Sequence, residues 1–184
     1  MGYFGYDTVR FIEPRLAGFD KPDLIDSPDI MLMVSDELVV FDNLAGTLLL
    51  VVHVDPAGAD ALEGGQARLE ELARQLHTAD SAYAKAGPAP ASRVEETDFV
   101  SGFTRERFES AVDRIKDYIV EGDAMQVVLS QRLTIPYHAR PVELYRALRS
   151  LNPSPYMYFV RHPELTIVGS SPEPMVQLLD RKVI

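Results

Sequence analysis

The sequence predicts an α+β fold in which layered β-sheets carry helices on their outer faces. From residue 104 onward the pattern runs helix, strand, helix and then three strands, the order expected when helices pack on a sheet. Earlier in the chain, the segment TLLLVVHV (residues 47–54) is apolar at almost every position instead of every second one. A strand of that kind is usually covered on both faces, which implies a layered architecture. With 184 residues, of which 46% are hydrophobic, the chain is long enough for a sizeable core.

The chain opens with glycines placed among aromatic residues, in GYFGYDTVRF. Gly2 and Gly5 indicate a bulge or the close approach of another backbone, because glycine has no side chain to obstruct it. Asp7 is the predicted cap of a short helix that ends at Pro14.

Three further regions follow before the second half of the chain. Residues 29–55 predict two or three strands separated by turn-forming residues, and residues 58–78 predict an amphipathic helix. An Ala-, Pro- and Ser-rich stretch, SAYAKAGPAPAS, then has the composition of a linker. The predicted division is therefore 1–85 for the end of a first region, 86–98 for the linker and 99–184 for the start of a second domain.

The second half alternates more regularly. Thr104 is the predicted cap of a helix that Gly122 ends, and a strand is predicted from Ala124 to Thr134. A second helix begins with Pro141 in its first turn and stops at Asn152. The remaining strands lie in PYMYFVR, LTIVGS and PMVQLLD, and DRKVI has the character of the return arm of a hairpin. A return arm at this position suggests a piece of a longer protein.

Composition and missing motifs narrow the function. The net charge of -10 disfavours nucleic-acid and anionic-membrane partners, because phosphates would be repelled. The absence of cysteine excludes disulfides and thiolate metal sites. The N-terminus lacks the pattern of a signal peptide, so the predicted location is the cytoplasm. No P-loop or H-E-x-x-H motif occurs, and His53, within the apolar strand, is predicted to be a hydrogen-bonded core histidine.

Four stretches carry more specific information: GYFGYDTVR near the start, then EGDAMQVVLSQR, LNPSPYMYF and VGSSPEP. Together and in this order they resemble the large subunit of anthranilate synthase, component I. The resemblance implies the chorismate-binding type of fold, incomplete here, with residues 99–184 opening the catalytic domain. It also implies conversion of chorismate and ammonia to anthranilate and pyruvate, with the ammonia supplied by a glutamine amidotransferase subunit (component II). Mg²⁺ is the implied cofactor, with its ligands expected beyond Ile184 and none within the chain, and L-tryptophan is the implied feedback inhibitor.

Gln126 is the candidate catalytic residue that the resemblance singles out. Alternation along the predicted strand places it on a semi-polar face with Val128, Ser130 and Arg132. The resemblance implies that relatives which add water to chorismate have a lysine at this position, where it acts as a general base. A glutamine amide cannot take a proton at neutral pH, and ammonia needs no base because its lone pair is already nucleophilic. Gln126 therefore fits an ammonia-using branch of the family; otherwise it is a hydrogen-bonded polar residue of a strand.

The stretch LNPSPYMYFV resembles part of the family's tryptophan site. Two prolines stiffen the backbone before any ligand arrives, so that the N–H groups of Tyr156 and Met157 can face a zwitterion at little entropic cost. The residues expected to bind tryptophan are Pro155, Tyr156 and Met157, followed by Asn152, Ser154 and Gly169. The alternative is a helix stop followed by an edge strand, and one segment can serve both purposes. Glu173 is expected to anchor the fold and not to bind a metal.

Three other interpretations stay open. In the first, the chain resembles aminodeoxychorismate synthase component I, which has the same fold and acts at a different ring carbon. A non-catalytic module that binds tryptophan or a partner subunit is the second, and a structural fragment without a ligand is the third. The family's upstream tryptophan motif, a Leu-Leu-Glu-Ser-like segment, has no match here. The family's later motifs, which supply the Mg²⁺-binding glutamates, a catalytic histidine and the residues that hold chorismate, are expected beyond Ile184. The 184-residue chain alone is therefore predicted to lack anthranilate synthase activity.

Overall fold

A computed structural model gives the structure of residues 1–18, 22–78 and 93–183. The mixture of helices and strands confirms the predicted α+β class. The α-helices are α1 Ala61–Thr78, α2 Arg105–Glu121 and α3 Pro141–Leu151. The strands are β1 Gly2–Phe4, β2 Ile30–Leu32, β3 Glu37–Asp42, β4 Thr47–Val52, β5 Val100–Ser101, β6 Leu133–Thr134, β7 Tyr156–Arg161, β8 Thr166–Ser171, β9 Leu178–Leu179 and β10 Lys182–Val183. Short 3₁₀ helices span Tyr6–Phe11, Pro14–Leu16 and Glu96–Asp98.

The chain divides into two compact units. One contains Met1–Gly87 together with Tyr145–Ile184, and the other contains Pro88–Leu144. Part of the predicted linker, residues 86–92, lies outside the described residues, and the division into 1–85, 86–98 and 99–184 stays a prediction.

In the first unit, β1 and β2 pair so closely that only glycine fits at one position. A Cβ atom on Gly2 would lie 1.9 Å from the carbonyl oxygen of Met31, and one on Gly5 would lie 3.1 Å from that of Asp29. The predicted close approach at both glycines is confirmed, and it is tight at Gly2. Met31 and Val160 are the two hydrophobic residues of the described chain that count as buried, at 7% and 8% exposure.

The first 3₁₀ helix differs from the sequence prediction. Gly5 occupies the cap position, so Asp7 lies inside the helix, which ends at Phe11. The predicted cap at Asp7 is therefore wrong. The Thr8 side chain donates a hydrogen bond to the Gly5 carbonyl at 2.7 Å, which provides a local bond that the sequence pattern did not reveal.

Strands β3 and β4 form a hairpin of six residue pairs, and α1 packs on β4. The Arg68 guanidinium of α1 donates two hydrogen bonds to the Glu37 carboxylate of β3, at 2.5 and 2.9 Å. These bonds hold the pKa of Glu37 below its usual range. Leu48 and Leu49, neighbours on opposite faces of β4, are 43% and 52% exposed, so the described residues do not fully cover either face.

His53 follows β4 and its side chain is exposed. Its backbone N–H donates to the Asp36 carbonyl at 2.7 Å and closes the hairpin. The prediction of a core histidine is wrong because the strand ends one residue earlier, at Val52.

In the second unit, α2 has the predicted ends. The Thr104 side chain accepts a hydrogen bond from the Arg107 N–H at 3.3 Å, and Gly122 adopts the left-handed conformation at φ 87°. The strand predicted from Ala124 to Thr134 is wrong in extent. Only Leu133 and Thr134 form a strand, because β5, their partner among the described residues, is itself two residues long. A strand forms where a partner accepts its hydrogen bonds, whatever the residue propensities.

The first unit also holds the last two hairpins. Strands β7 and β8 pair over six residues, from Tyr156 opposite Ser171 to Arg161 opposite Thr166. The short hairpin of β9 and β10 turns through Asp180 and Arg181, both at positive φ, as the favoured two-residue hairpin turn requires. The predicted return arm at the end of the chain is confirmed.

Candidate functional site

The residues from Asn152 to Pro155 join α3 to β7 and contain part of the predicted tryptophan site; we call them the α3–β7 loop. The Asn152 N–H donates to the Leu148 carbonyl at 2.9 Å and completes the last turn of α3. Pro153 and Pro155 have no N–H groups, so the loop can form few backbone hydrogen bonds of its own. Its position therefore depends on groups outside it.

Two serine hydroxyls connect the loop to β8. The Ser170 hydroxyl donates to the Asn152 carbonyl at 3.0 Å. In the opposite direction, the Ser154 hydroxyl donates to the Ser171 carbonyl. Asn152 and Ser154 are thus bonded to two adjacent residues of β8, beside the start of β7.

The strand pairing orients Tyr156 and Met157 differently. Antiparallel pairs alternate between hydrogen-bonded and non-hydrogen-bonded, and the His162 N–H donates to the Leu165 carbonyl at 2.9 Å. Counting along the register from that bond makes Tyr156 a hydrogen-bonded partner of Ser171, whereas Met157 belongs to a non-hydrogen-bonded pair. Of the two N–H groups predicted to face a ligand, only that of Met157 points away from β8.

Gly169 lies opposite Tyr158 in the same hairpin. A Cβ atom on Gly169 would lie 2.0 Å from Cζ of the Tyr158 ring. The ring therefore covers the glycine, and no larger residue fits while the ring stays there. The sequence singled out Gly169 but missed Tyr158, the side chain for which the glycine leaves room.

On the other face of β7, an aromatic contact joins the strand to α3. The rings of Tyr145 and Phe159 meet edge to face, with centroids 6.0 Å apart and planes inclined at 69°. Such a contact contributes about 1 kcal/mol beyond the burial of area. The α3–β7 loop is thus flanked by a helix and a strand that contact each other directly.

Gln126 belongs to the other compact unit, and its side chain is exposed. It lies outside regular structure, so the alternation expected of a strand does not define the direction of its side chain. A groove of about 720 Å³ runs along α2, with Phe103, Ile115 and Leu129 in its lining, but Gln126 is not part of that lining. The catalytic role of Gln126 stays a prediction.

Charged side chains contribute little to the α3–β7 loop or to the segment around Gln126. Among the described residues, no group of three or more His, Cys, Asp or Glu side chains is arranged to hold a metal ion. Glu173, expected to anchor the fold, is exposed, and its carbonyl accepts a hydrogen bond from the Ser171 hydroxyl at 3.0 Å. No helix in the described parts of the chain is long and apolar enough to cross a membrane.

The α3–β7 loop with Tyr156 and Met157 offers carbonyls, one outward-facing N–H group, an aromatic ring and a thioether. No carboxylate, imidazole or amine side chain is among these residues. Such a set suits the binding of a polar aromatic molecule and not catalysis. Sequence reasoning missed the hydroxyls that position it, although VGSSPEP places two adjacent serines opposite the start of β7.

Comparison with known proteins identifies the family of the chain. The chorismate binding enzyme family matches residues 1–184. "Anthranilate synthase component 1" of Pseudomonas aeruginosa is 52% identical over 180 residues, which cover 98% of this chain and 36% of the relative. The protein of the same name from Aquifex aeolicus is 38% identical over 187 residues, covering 100% of this chain and 36% of the relative.

A solved structure is also similar. Anthranilate synthase component I from Streptococcus pneumoniae superposes with a TM-score of 0.74 at 29% identity, over 98% of this chain and 40% of that chain. The chain spans about 36% of the length of the curated relatives it matches. With a family match along its whole length and relatives above half identity, the chain belongs to the chorismate-binding enzyme family.

Proposed function

We propose that this chain is a segment of anthranilate synthase component I, which converts chorismate and ammonia to anthranilate and pyruvate in tryptophan biosynthesis. The observation that carries the proposal is the likeness to proteins named for that activity, at up to 52% identity across nearly the whole chain. The reaction is a lyase reaction, because the enolpyruvyl side chain of chorismate leaves as pyruvate. A cytoplasmic location fits it.

Gln126 is the residue of this chain proposed to favour ammonia as the nucleophile. Its amide can donate or accept a hydrogen bond but cannot act as the base that water would need. Its exposed position leaves the side chain accessible to a substrate. Ammonia is proposed to come from the glutamine amidotransferase subunit, component II.

Mg²⁺ is the proposed cofactor, and it would neutralise the carboxylates of chorismate. The described residues contain no acidic cluster that fits the ion. We therefore assign none of them to the metal and expect its ligands in other parts of the complete enzyme.

L-Tryptophan is the proposed feedback inhibitor, and its site is proposed to include Pro155, Tyr156 and Met157, with Asn152, Ser154 and Gly169 nearby. Met157 supports this role best, because its N–H group points away from β8 and its side chain is half-buried. Pro155 contributes rigidity, and Gly169 acts through the Tyr158 ring that covers it.

A hybrid enzyme tests the proposal. The matching segment of the Pseudomonas aeruginosa relative is replaced by this chain, and the product formed from chorismate, ammonia and Mg²⁺ is followed by anthranilate fluorescence. We expect anthranilate, inhibited by L-tryptophan. A folded hybrid that consumes chorismate and accumulates aminodeoxychorismate instead would support the rival enzyme, and one without turnover would contradict the proposal. The 184-residue chain alone serves as the control and is expected to be inactive.

A further inference from the structure

The α3–β7 loop is held in a way that its own backbone cannot provide. Two of its four residues are prolines without N–H groups. The connection to β8 instead consists of the Ser170 hydroxyl on the Asn152 carbonyl and the Ser154 hydroxyl on the Ser171 carbonyl. The two bonds run in opposite directions, so each side of the contact supplies one donor and one acceptor.

We infer that Ser170 is a positioning residue that, together with Ser154, holds the α3–β7 loop and Met157 in the shape required for ligand binding. Ser170 lies directly opposite Met157 in the β7–β8 register, and its hydroxyl fixes Asn152, the first residue of the loop. The functional part of this inference rests on the proposed tryptophan site, whereas the mechanical part does not.

The ordering of the loop before a ligand binds explains why these two hydrogen bonds matter. A loop that must be ordered by its ligand loses part of the binding free energy in that ordering. Removal of one hydrogen bond of ordinary strength should therefore open the loop more often, by about fivefold. The same change is expected in the affinity of any ligand that needs the ordered loop.

The mechanical test uses amide hydrogen exchange of the 184-residue chain. Ser170→Ala is expected to speed exchange in peptides covering residues 149–158 by about fivefold. Peptides from the β3–β4 hairpin should keep their wild-type rates, which shows that the variant remains folded. Unchanged exchange at residues 149–158 would overturn the inference.

Two further variants isolate the hydroxyl. Ser171→Ala is the matched control, because the Ser171 hydroxyl donates to the Glu173 carbonyl at 3.0 Å and not to the loop. Its loop should exchange like the wild type. Ser170→Thr keeps a hydroxyl, so its loop should exchange as slowly as that of the wild type. It also provides the test if the alanine variant fails to fold. A threonine variant whose loop exchanges as fast as that of the alanine variant, or a control with the same acceleration, would refute the role of this hydroxyl.

The functional test uses the hybrid enzyme, with each variant compared with its own uninhibited rate. Ser170→Ala should raise the inhibition constant for L-tryptophan about fivefold, and Ser171→Ala should leave it unchanged. Equal inhibition of the wild-type and Ser170→Ala hybrids would overturn the inference. A wild-type hybrid that makes anthranilate but ignores tryptophan would refute the proposed inhibitor site, and the exchange experiment would then decide the mechanical inference separately.

Discussion

The two segments with predicted functional residues are organised in opposite ways. The α3–β7 loop is fixed by two serine hydroxyls, by the last turn of α3 and by the pairing of β7 with β8. The segment of residues 124–132, which contains Gln126, has no regular structure, and most of its residues are exposed. The contrast indicates that the proposed inhibitor-binding residues are positioned by contacts within this chain, whereas no regular structure among the described residues positions Gln126.

The largest expected effect on stability concerns Gly169. Gly169→Ala should lower the free energy of unfolding by about 1 kcal/mol, because the new methyl group would overlap the Tyr158 ring, and this half-exposed ring would have to turn away and lose its contact with the strand. Thermal or denaturant unfolding measures the loss. The same substitution in a Tyr158→Ala background should cost less than about 0.5 kcal/mol. An equal cost in both backgrounds would show that the ring is not the obstacle.

Met157 sharpens the comparison on the binding side. Met157→Thr in the hybrid enzyme should weaken inhibition by L-tryptophan about tenfold, because much of the apolar contact of the thioether is lost. The kcat for anthranilate should stay unchanged, which steady-state kinetics measures. A parallel loss of kcat would place Met157 in the catalytic site instead.

The segment of residues 124–132 should tolerate substitution. Gln126→Ala should alter the free energy of unfolding by less than about 0.5 kcal/mol, because its side chain is exposed and outside a strand. In the hybrid enzyme the same variant should slow anthranilate formation, as followed by fluorescence. A large loss of stability would show that residues 124–132 are organised within this chain after all.

The smallest effect is a pH dependence confined to the Glu37–Arg68 contact. The pKa of Glu37 is lowered by the Arg68 hydrogen bonds, so this contact stabilises the fold fully above the unfolded value near 4.5 and loses its effect as the pH falls through the lowered folded value. The protection of the β3 and α1 amides, measured as the exchange rate relative to the intrinsic rate at each pH, should therefore fall below about pH 4.5. The serine bonds of the α3–β7 loop carry no titrating group and should not change. Arg68→Met should remove the pH dependence at β3, and its persistence would point to another carboxylate.

The elements that depend on local chemistry could be predicted from the sequence. Thr104 and Gly122 mark the ends of α2 because caps act within a few residues. The strand predicted over residues 124–134 failed because a strand needs a partner, and apolar β-branched residues do not reveal whether one is present.

The candidate site shows the same limit. The prolines and Met157 could be identified from a resemblance in sequence, and Gly169 could be picked as a point of close approach. The covering ring of Tyr158 and the hydroxyl of Ser170 could not, because the hairpin register decides which residues meet across the strands.

The α3–β7 loop and the start of β7 are held by contacts within this chain, whereas the segment around Gln126 has no regular structure. Residue-resolved amide exchange of the wild-type 184-residue chain by NMR is the most direct test of this difference. We expect slow exchange at the Tyr156 amide and at the Asn152 amide, with fast exchange from Met125 to Ser130. Equally fast exchange at Tyr156 and at Gln126 would contradict it.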